Sequence, residues 1–212
     1  MLREKTRVAV LVSGGGTNLQ ALLDAQAAGR MPDGEIVLVL ASRPDAYALE
    51  RARAAGVPAF AVDKKACASQ AEFEAGLLDA LRRAGAELIV LAGFLSILSE
   101  KFTARFPRRI LNIHPSLIPA FCGRGCYGLH VHEAALARGV KLTGATVHFV
   151  NEIPDGGEIV AQRAVEVRPG DTPELLQRRV MEEAEWILLP EAAESVARAI
   201  RTDADYPAAN FA

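Results

Sequence analysis

Asn112 and His114 stand two residues apart at the end of an apolar run, Ile110 to Ile113, that leads into Pro115-Ser116-Leu117. On a strand that spacing turns both side chains to one face. An amide that donates to a developing oxyanion, beside an imidazole that moves a proton, is a compact toolkit for acyl transfer. The same pair also suits a turn-bonding amide and a satisfied, half-buried histidine, and the local sequence leaves the two readings open. Ser116 is a poor nucleophile candidate, because Gly-x-Ser-x-Gly is absent and His114 lies too near in sequence to build a triad with it.

Two further stretches carry candidate chemistry. Ser13-Gly14-Gly15-Gly16-Thr17-Asn18 follows the apolar run Arg7 to Val12 and precedes Leu19, Leu22 and Leu23 at helical spacing. Backbone N–H groups and the positive end of a helix suit an anion there, a phosphate first of all. The loop is not the dinucleotide fingerprint, since Leu19 stands where a third glycine belongs, and it lacks the Gly-Lys-Ser/Thr of a P-loop. A tight turn capped by Thr17 or Asn18 is the competing reading. Asn151-Glu152-Ile153-Pro154-Asp155-Gly156-Gly157 is a carboxylate-bearing turn between two apolar runs. Asp155 is either ordinary hairpin chemistry or the carboxylate that orients His114 and holds its proton. His114, His130, His132 and His148 fall in one portion of the chain with Cys122 and Cys126, yet no matched second pair gives zinc-ligand spacing, so we expect no metal.

Elements that would position these residues follow from periodicity. Strands are expected at Arg7–Val12, Ile36–Ala41, Pro58–Val62, Leu88–Ala92 and Ile110–Ile113, with helices to Ala28, over Ala46–Ala55 and over Ala71–Arg83. Such alternation implies a parallel sheet covered on both faces. Thr143–Val150 and Glu158–Val165 are rich in β-branched residues and joined by a short turn, which suggests a late antiparallel hairpin. A long helix from about Thr172 to Ala199 follows, capped by Asp171 or Thr172, opened by Pro173 and kinked or divided at Pro190. No linker or repeat divides the chain, so we expect one doubly wound α/β domain over 1–201 and a tail over 202–212.

Composition narrows the classes of function. Half of the 212 residues are hydrophobic, enough for a substantial core, and the net charge of −2 provides no overall field for nucleic acid or an anionic membrane. Any anionic ligand must be gripped locally. Arg105, Arg108 and Arg109 suit a solvated helix end better than a nucleic-acid patch. The first apolar stretch is too short for a signal sequence or a membrane span, and three cysteines are too few for a disulfide framework. We expect a cytoplasmic protein.

Taken in order, Ser13 to Gln20, Leu91 to Leu98, Asn112 to Leu117, Gly144 to Val150 and Asp155 to Gly157 resemble the phosphoribosylglycinamide formyltransferase family over nearly the whole chain. That resemblance implies a Rossmann-like formyltransferase fold. It implies transfer of the formyl group of 10-formyltetrahydrofolate to the amine of 5'-phosphoribosylglycinamide in purine synthesis, with folate as cosubstrate and no metal. By the same resemblance, Asn112, His114 and Asp155 are catalytic, and Gly16, Thr17 and Asn18 bind phosphate. Glu185 contacts the glycinamide substrate, and Leu95, Ser96, Ile97, Leu98, Asn112, Asn151, Glu152, Ile153 and Pro154 clasp the folate. The expected partners are these small molecules alone, with no nucleic acid or membrane, and the expected state is a monomer or homodimer. Three departures stand out: Ser96 and Gln70 occupy places where relatives often carry basic residues near the folate tail, and the loop Phe121 to Tyr127 is long. Formyltetrahydrofolate deformylases and methionyl-tRNA formyltransferases are near rivals. The deformylases carry an added amino-terminal regulatory domain, whereas strand one here begins at Arg7. The tRNA enzymes carry a further carboxy-terminal domain, and here the chain ends soon after Arg201. A non-catalytic nucleotide-binding module would need the glycine loop alone.

Overall fold

The computed structural model describes residues 5–203 and Phe211. Seven strands form one sheet: β1 (Thr6–Val12), β2 (Gly34–Ala41), β3 (Ala59–Ala61), β4 (Leu88–Leu91), β5 (Ile110–His114), β6 (Leu142–Phe149) and β7 (Ile159–Glu166). Their order is β3-β2-β1-β4-β5-β6-β7. The first five pair in parallel, and β6 runs antiparallel to both β5 and β7. The parallel sheet and late hairpin are therefore as the patterning indicates, with β3 shorter than the expected strand.

Both faces of the central strands are dry, which is why they read as unbroken apolar runs, whereas β7 at the edge is largely exposed. In β1, Val8, Val10 and Val12 join a core with α1 (Thr17–Ala27), α2 (Ala48–Ala54) and the carboxy-terminal helices. Ala9 and Leu11 point the other way, into a core with α3 (Gln70–Arg83) and α4 (Glu100–Thr103). The fifth helix, α5 (Leu129–Arg138), lies between β5 and β6 in the chain. The order in which strands are added reverses between the parallel neighbours β1 and β4, the first of which leads outward to β2 and the second to β5. Ligands of open α/β sheets bind at the carboxyl ends of such strands.

The long final helix departs from expectation. Thr172 caps α6 (Pro173–Val180) by accepting from the Leu175 N–H, while Asp171 pairs with Arg179. The helix is then interrupted by a π-helical turn at Met181–Glu185, and α7 (Trp186–Thr202) carries Pro190 without a break. Pro190 is the fifth residue of α7, so its missing N–H removes the intrahelical bond that would reach the Trp186 carbonyl. The irregularity falls where the extra residue of the π-turn turns Glu185 inward. This α7 extends one residue into the expected tail. Residues 204–210 and 212 of that tail, like residues 1–4, lie outside the described residues, and the Phe211 ring meets Phe106 edge-on.

Candidate active site

Antiparallel pairing of β5 with β6 sets Asn112 directly opposite His148, and His114 opposite Thr146. Asn112, His114 and His148 thus rise from one face of the sheet. A register shift in the β6–β7 pairing lies between Val147 and His148, a type of irregularity that re-aims side chains beside active sites. Asp155 reaches the same point from the following turn. There Asn151 Oδ1 accepts from the Ile153 N–H at 3.0 Å, Asp155 adopts φ 55°, and a side chain at Gly157 would strike the Phe149 carbonyl.

These four side chains converge. Asp155 Oδ2 lies 3.5 Å from His114 Nδ1, and its Oδ1 lies 3.6 Å from His148 Nε2. Asn112 Nδ2 is 3.1 Å from His148 Nε2. His148 Nδ1 is 2.8 Å from the Phe149 carbonyl; a carbonyl only accepts, so that nitrogen carries a proton. His148 Nε2 lies between the Asn112 amide and Asp155 Oδ1: unprotonated it accepts from Asn112, protonated it donates to Asp155, and either way a second amide N–H and the oxygen of Asn112 are left for a ligand. His114 Nε2 donates to the Phe121 carbonyl at 2.9 Å by the same logic. Burial pushes the Asp155 carboxyl up. His148, the nearby His114 and the Gly123 N–H outweigh it and hold the group below the usual carboxylate range. Asp155 is therefore an anion facing two imidazoles in a partly dry site.

A cleft of about 120 Å³ opens beside this cluster. Leu95, Ser96, Ile97 and Leu98 form one wall, Asn151, Glu152, Ile153 and Pro154 the other, and Asn112, His148 and Asp155 reach its floor. Leu95, Ile97 and Ile153 are all more than half exposed, an apolar rim suited to a flat heteroaromatic ligand. Gln70 donates from Nε2 to the Ile97 carbonyl at 3.0 Å and to Glu74 at 2.7 Å, and so braces that wall. Ser13 joins the cleft to the glycine loop: its N–H donates to the Gly93 carbonyl and its hydroxyl accepts from the Leu95 N–H.

In the glycine loop neither Thr17 nor Asn18 is the cap of α1. Gly16 is, in the left-handed region at φ 74°, with no side chain bonding the helix end. A Cβ on Gly16 would lie 2.6 Å from that of Ala48, so α2 presses directly on the loop. Uncapped N–H groups and the helix dipole favour an anion here. The Asn18 side chain instead donates from Nδ2 to Glu185 Oε2 at 2.6 Å, across 167 residues of sequence. Burial raises the Glu185 carboxyl above its ordinary range despite that contact. The structure thus brings Glu185 to the loop.

His130 and His132 are not brought together. His130 is exposed and pairs with Glu133 at 2.9 Å, whereas His132 is buried, its pKa pushed down to about 4 by burial and by His114. No group of three metal-ligating side chains occurs among the described residues, and no helix there is long and apolar enough to cross a membrane. His148 is the residue that sequence reasoning passed over. It lies inside the motif Gly144 to Val150, but its place beside Asn112 depends on strand register.

Residues 6–192 match the family model described as formyl transferase. The chain is 42% identical over 180 residues to a chloroplastic phosphoribosylglycinamide formyltransferase of Arabidopsis thaliana, covering 84% of this chain and 61% of that protein. It is 44% identical over 195 residues to the trifunctional purine biosynthetic protein adenosine-3 of Gallus gallus, covering 91% of this chain and 18% of that one. The chain therefore spans less than two thirds of either relative. A crystal structure of glycinamide ribonucleotide transformylase 1 from Symbiobacterium toebii superposes with a TM-score of 0.85 at 46% identity, over 92% of this chain and 89% of that one.

Proposed function

The chain belongs to the formyl transferase family, and from that premise we propose that it passes the formyl group of 10-formyltetrahydrofolate to the amine of 5'-phosphoribosylglycinamide, a step of purine synthesis in the cytoplasm. The observation that carries the reading is the convergence of Asn112, His114, His148 and Asp155 between an apolar-rimmed cleft and an uncapped glycine loop. In this reading the folate ring lies between Leu95–Leu98 and Asn151–Pro154. The substrate phosphate meets the N–H groups of Gly16, Thr17 and Asn18, and Glu185 meets the sugar-amide portion. Residues 1–201 act as one catalytic domain.

The amine then attacks the formyl carbon directly, and the carbonyl oxygen becomes an oxyanion. In this reading it is received by the free N–H of Asn112 and by the Nδ1–H of His114, which the oxyanion shares with Asp155. The His114 ring faces two acceptors, the Phe121 carbonyl and the Asp155 carboxylate, so the ring protonated on both nitrogens is the one in which each contact joins a donor to an acceptor. As the tetrahedral intermediate collapses, the amine loses a proton and the folate nitrogen gains one. Asp155 is the base nearest that exchange, directly or through one water. No covalent enzyme intermediate enters this sequence.

The test is a folate absorbance assay with 5'-phosphoribosylglycinamide as acceptor, run with 10-formyltetrahydrofolate and 10-formyldihydrofolate as donors. We expect turnover of the tetrahydro donor that requires the acceptor. Formyl release at the same rate without acceptor would instead support a hydrolase, and ligand binding without turnover would support a binding module.

A further inference from the structure

The loop between β5 and α5 does more than connect them. At Phe121 its backbone takes φ 51°, a conformation that bulky residues rarely adopt, and the carbonyl so presented accepts from His114 Nε2 at 2.9 Å. Two residues on, the Gly123 N–H donates to Asp155 Oδ2 at 2.8 Å. The two bonds reach the two members of one ion pair. Each comes from the backbone, so neither announces itself as a side-chain motif. A loop that merely closed a gap would turn these groups to water or to one another.

We propose that Phe121 and Gly123 are positioning residues, forming a clamp that presents Nδ1 of His114 to the reacting atoms and fixes the Asp155 carboxylate beside it. With Nε2 committed to a carbonyl, Nδ1 is the nitrogen left to face Asp155, whose carboxylate lines the cleft. The Gly123 N–H also satisfies the oxygen of Asp155 that His114 approaches, which limits rotation of the carboxylate. This rests on the catalytic roles of His114 and Asp155 proposed above.

Gly123 and Gly125 provide a matched test. Their φ values are 91° and 86°, and a Cβ at either would meet no heavy atom within 4 Å, so alanine meets equal backbone strain in open space at both. They differ in the bond from the Gly123 N–H to Asp155 and in a turn bond that the Gly123 carbonyl accepts from the Cys126 N–H at 3.1 Å. Asp155 faces His114, His148 and Cys122 as its titratable neighbours. For Gly123→Ala we expect turnover to fall about tenfold or more, the KM for each substrate to stay within about twofold, and the acid limb of the pH profile to move to higher pH. Gly125→Ala should match the wild type in all three. Equal behaviour of the two variants would overturn the clamp. A second measurement does not depend on how Gly123→Ala folds: in Asp155→Ala, hydrogen exchange at the Gly123 amide should accelerate about tenfold or more, with the Gly125 amide unchanged. Unaltered Gly123 exchange would also overturn it. If Asp155→Asn keeps normal turnover, the catalytic reading fails and the clamp falls with it. If Asp155→Asn is inactive while Gly123→Ala behaves as Gly125→Ala, only the clamp fails.

Discussion

Replacing Asp155 by asparagine keeps the side chain's size and removes its charge, which isolates what the carboxylate does for His114. The two groups are 3.5 Å apart, and at an effective dielectric near 20 unit charges at that separation attract by about 5 kcal/mol. An imidazolium spreads its charge over the ring, and the Asp155 side chain retains 14% exposure, so we expect about 2 kcal/mol of this to survive as the coupling between the two groups in the transition state. At 1.4 kcal/mol per factor of ten, that is about 30-fold in rate. Loss of the proton acceptor adds to it, and the predicted fall in kcat is about 100-fold or more. The KM for the phosphorylated acceptor should change little, because the glycine loop is untouched. The assay is kcat against pH for both proteins, with 15N spectra of His114 reporting its charge state. Because the Asp155 carboxyl is held low, its contribution in the wild type is present above that lowered pKa and lost only as pH falls through it. The corresponding acid limb should vanish in Asp155→Asn. Turnover within about threefold of wild type, with unchanged spectra, would refute the reasoning and return Asp155 to turn chemistry.

Asn112→Ala should lower kcat by about 100-fold to 1,000-fold, the usual result of deleting an oxyanion donor, with smaller changes in KM; steady-state kinetics would expose the converse pattern as a binding role. Gly16→Ala places a Cβ 2.6 Å from that of Ala48 on a left-handed backbone, and the conformation alone costs about 1–2 kcal/mol. A lower melting temperature and a raised KM for the phosphorylated acceptor, with folate KM unchanged, are expected, and equal changes in both KM values would contradict a phosphate role for the loop. Glu185 has a carboxyl raised by burial, so its protonated form is the one that stabilises the fold: the contribution is complete below the unfolded pKa and is lost as pH rises through the folded one. The melting temperature of the wild type should therefore decline relative to that of Glu185→Gln as pH rises across and above the carboxylate range; calorimetry showing a constant difference between the two would reject the burial argument.

Much of the architecture is legible in the chain because it is encoded over a few residues. Apolar runs such as Val8 to Val12 announce strands buried on both faces, and the Asn112-x-His114 spacing places an amide and an imidazole on one face wherever a strand forms. Thr172-Pro173 likewise marks a helix start, since capping is settled within one turn. What the tertiary structure decided are relations between distant residues. His148 meets Asn112 through antiparallel register, and a slip of one residue would send it to the other face. Asn18 and Glu185 meet only because a π-turn interrupts the last long helix five residues before Pro190, the position at which local propensity predicts the break. The hold of Phe121 and Gly123 on His114 and Asp155 uses backbone groups, which every residue type except proline offers alike, so sequence cannot distinguish them. Local periodicity selects the elements, but burial and register are properties of the assembled sheet, and they choose which of the chain's polar groups become a site.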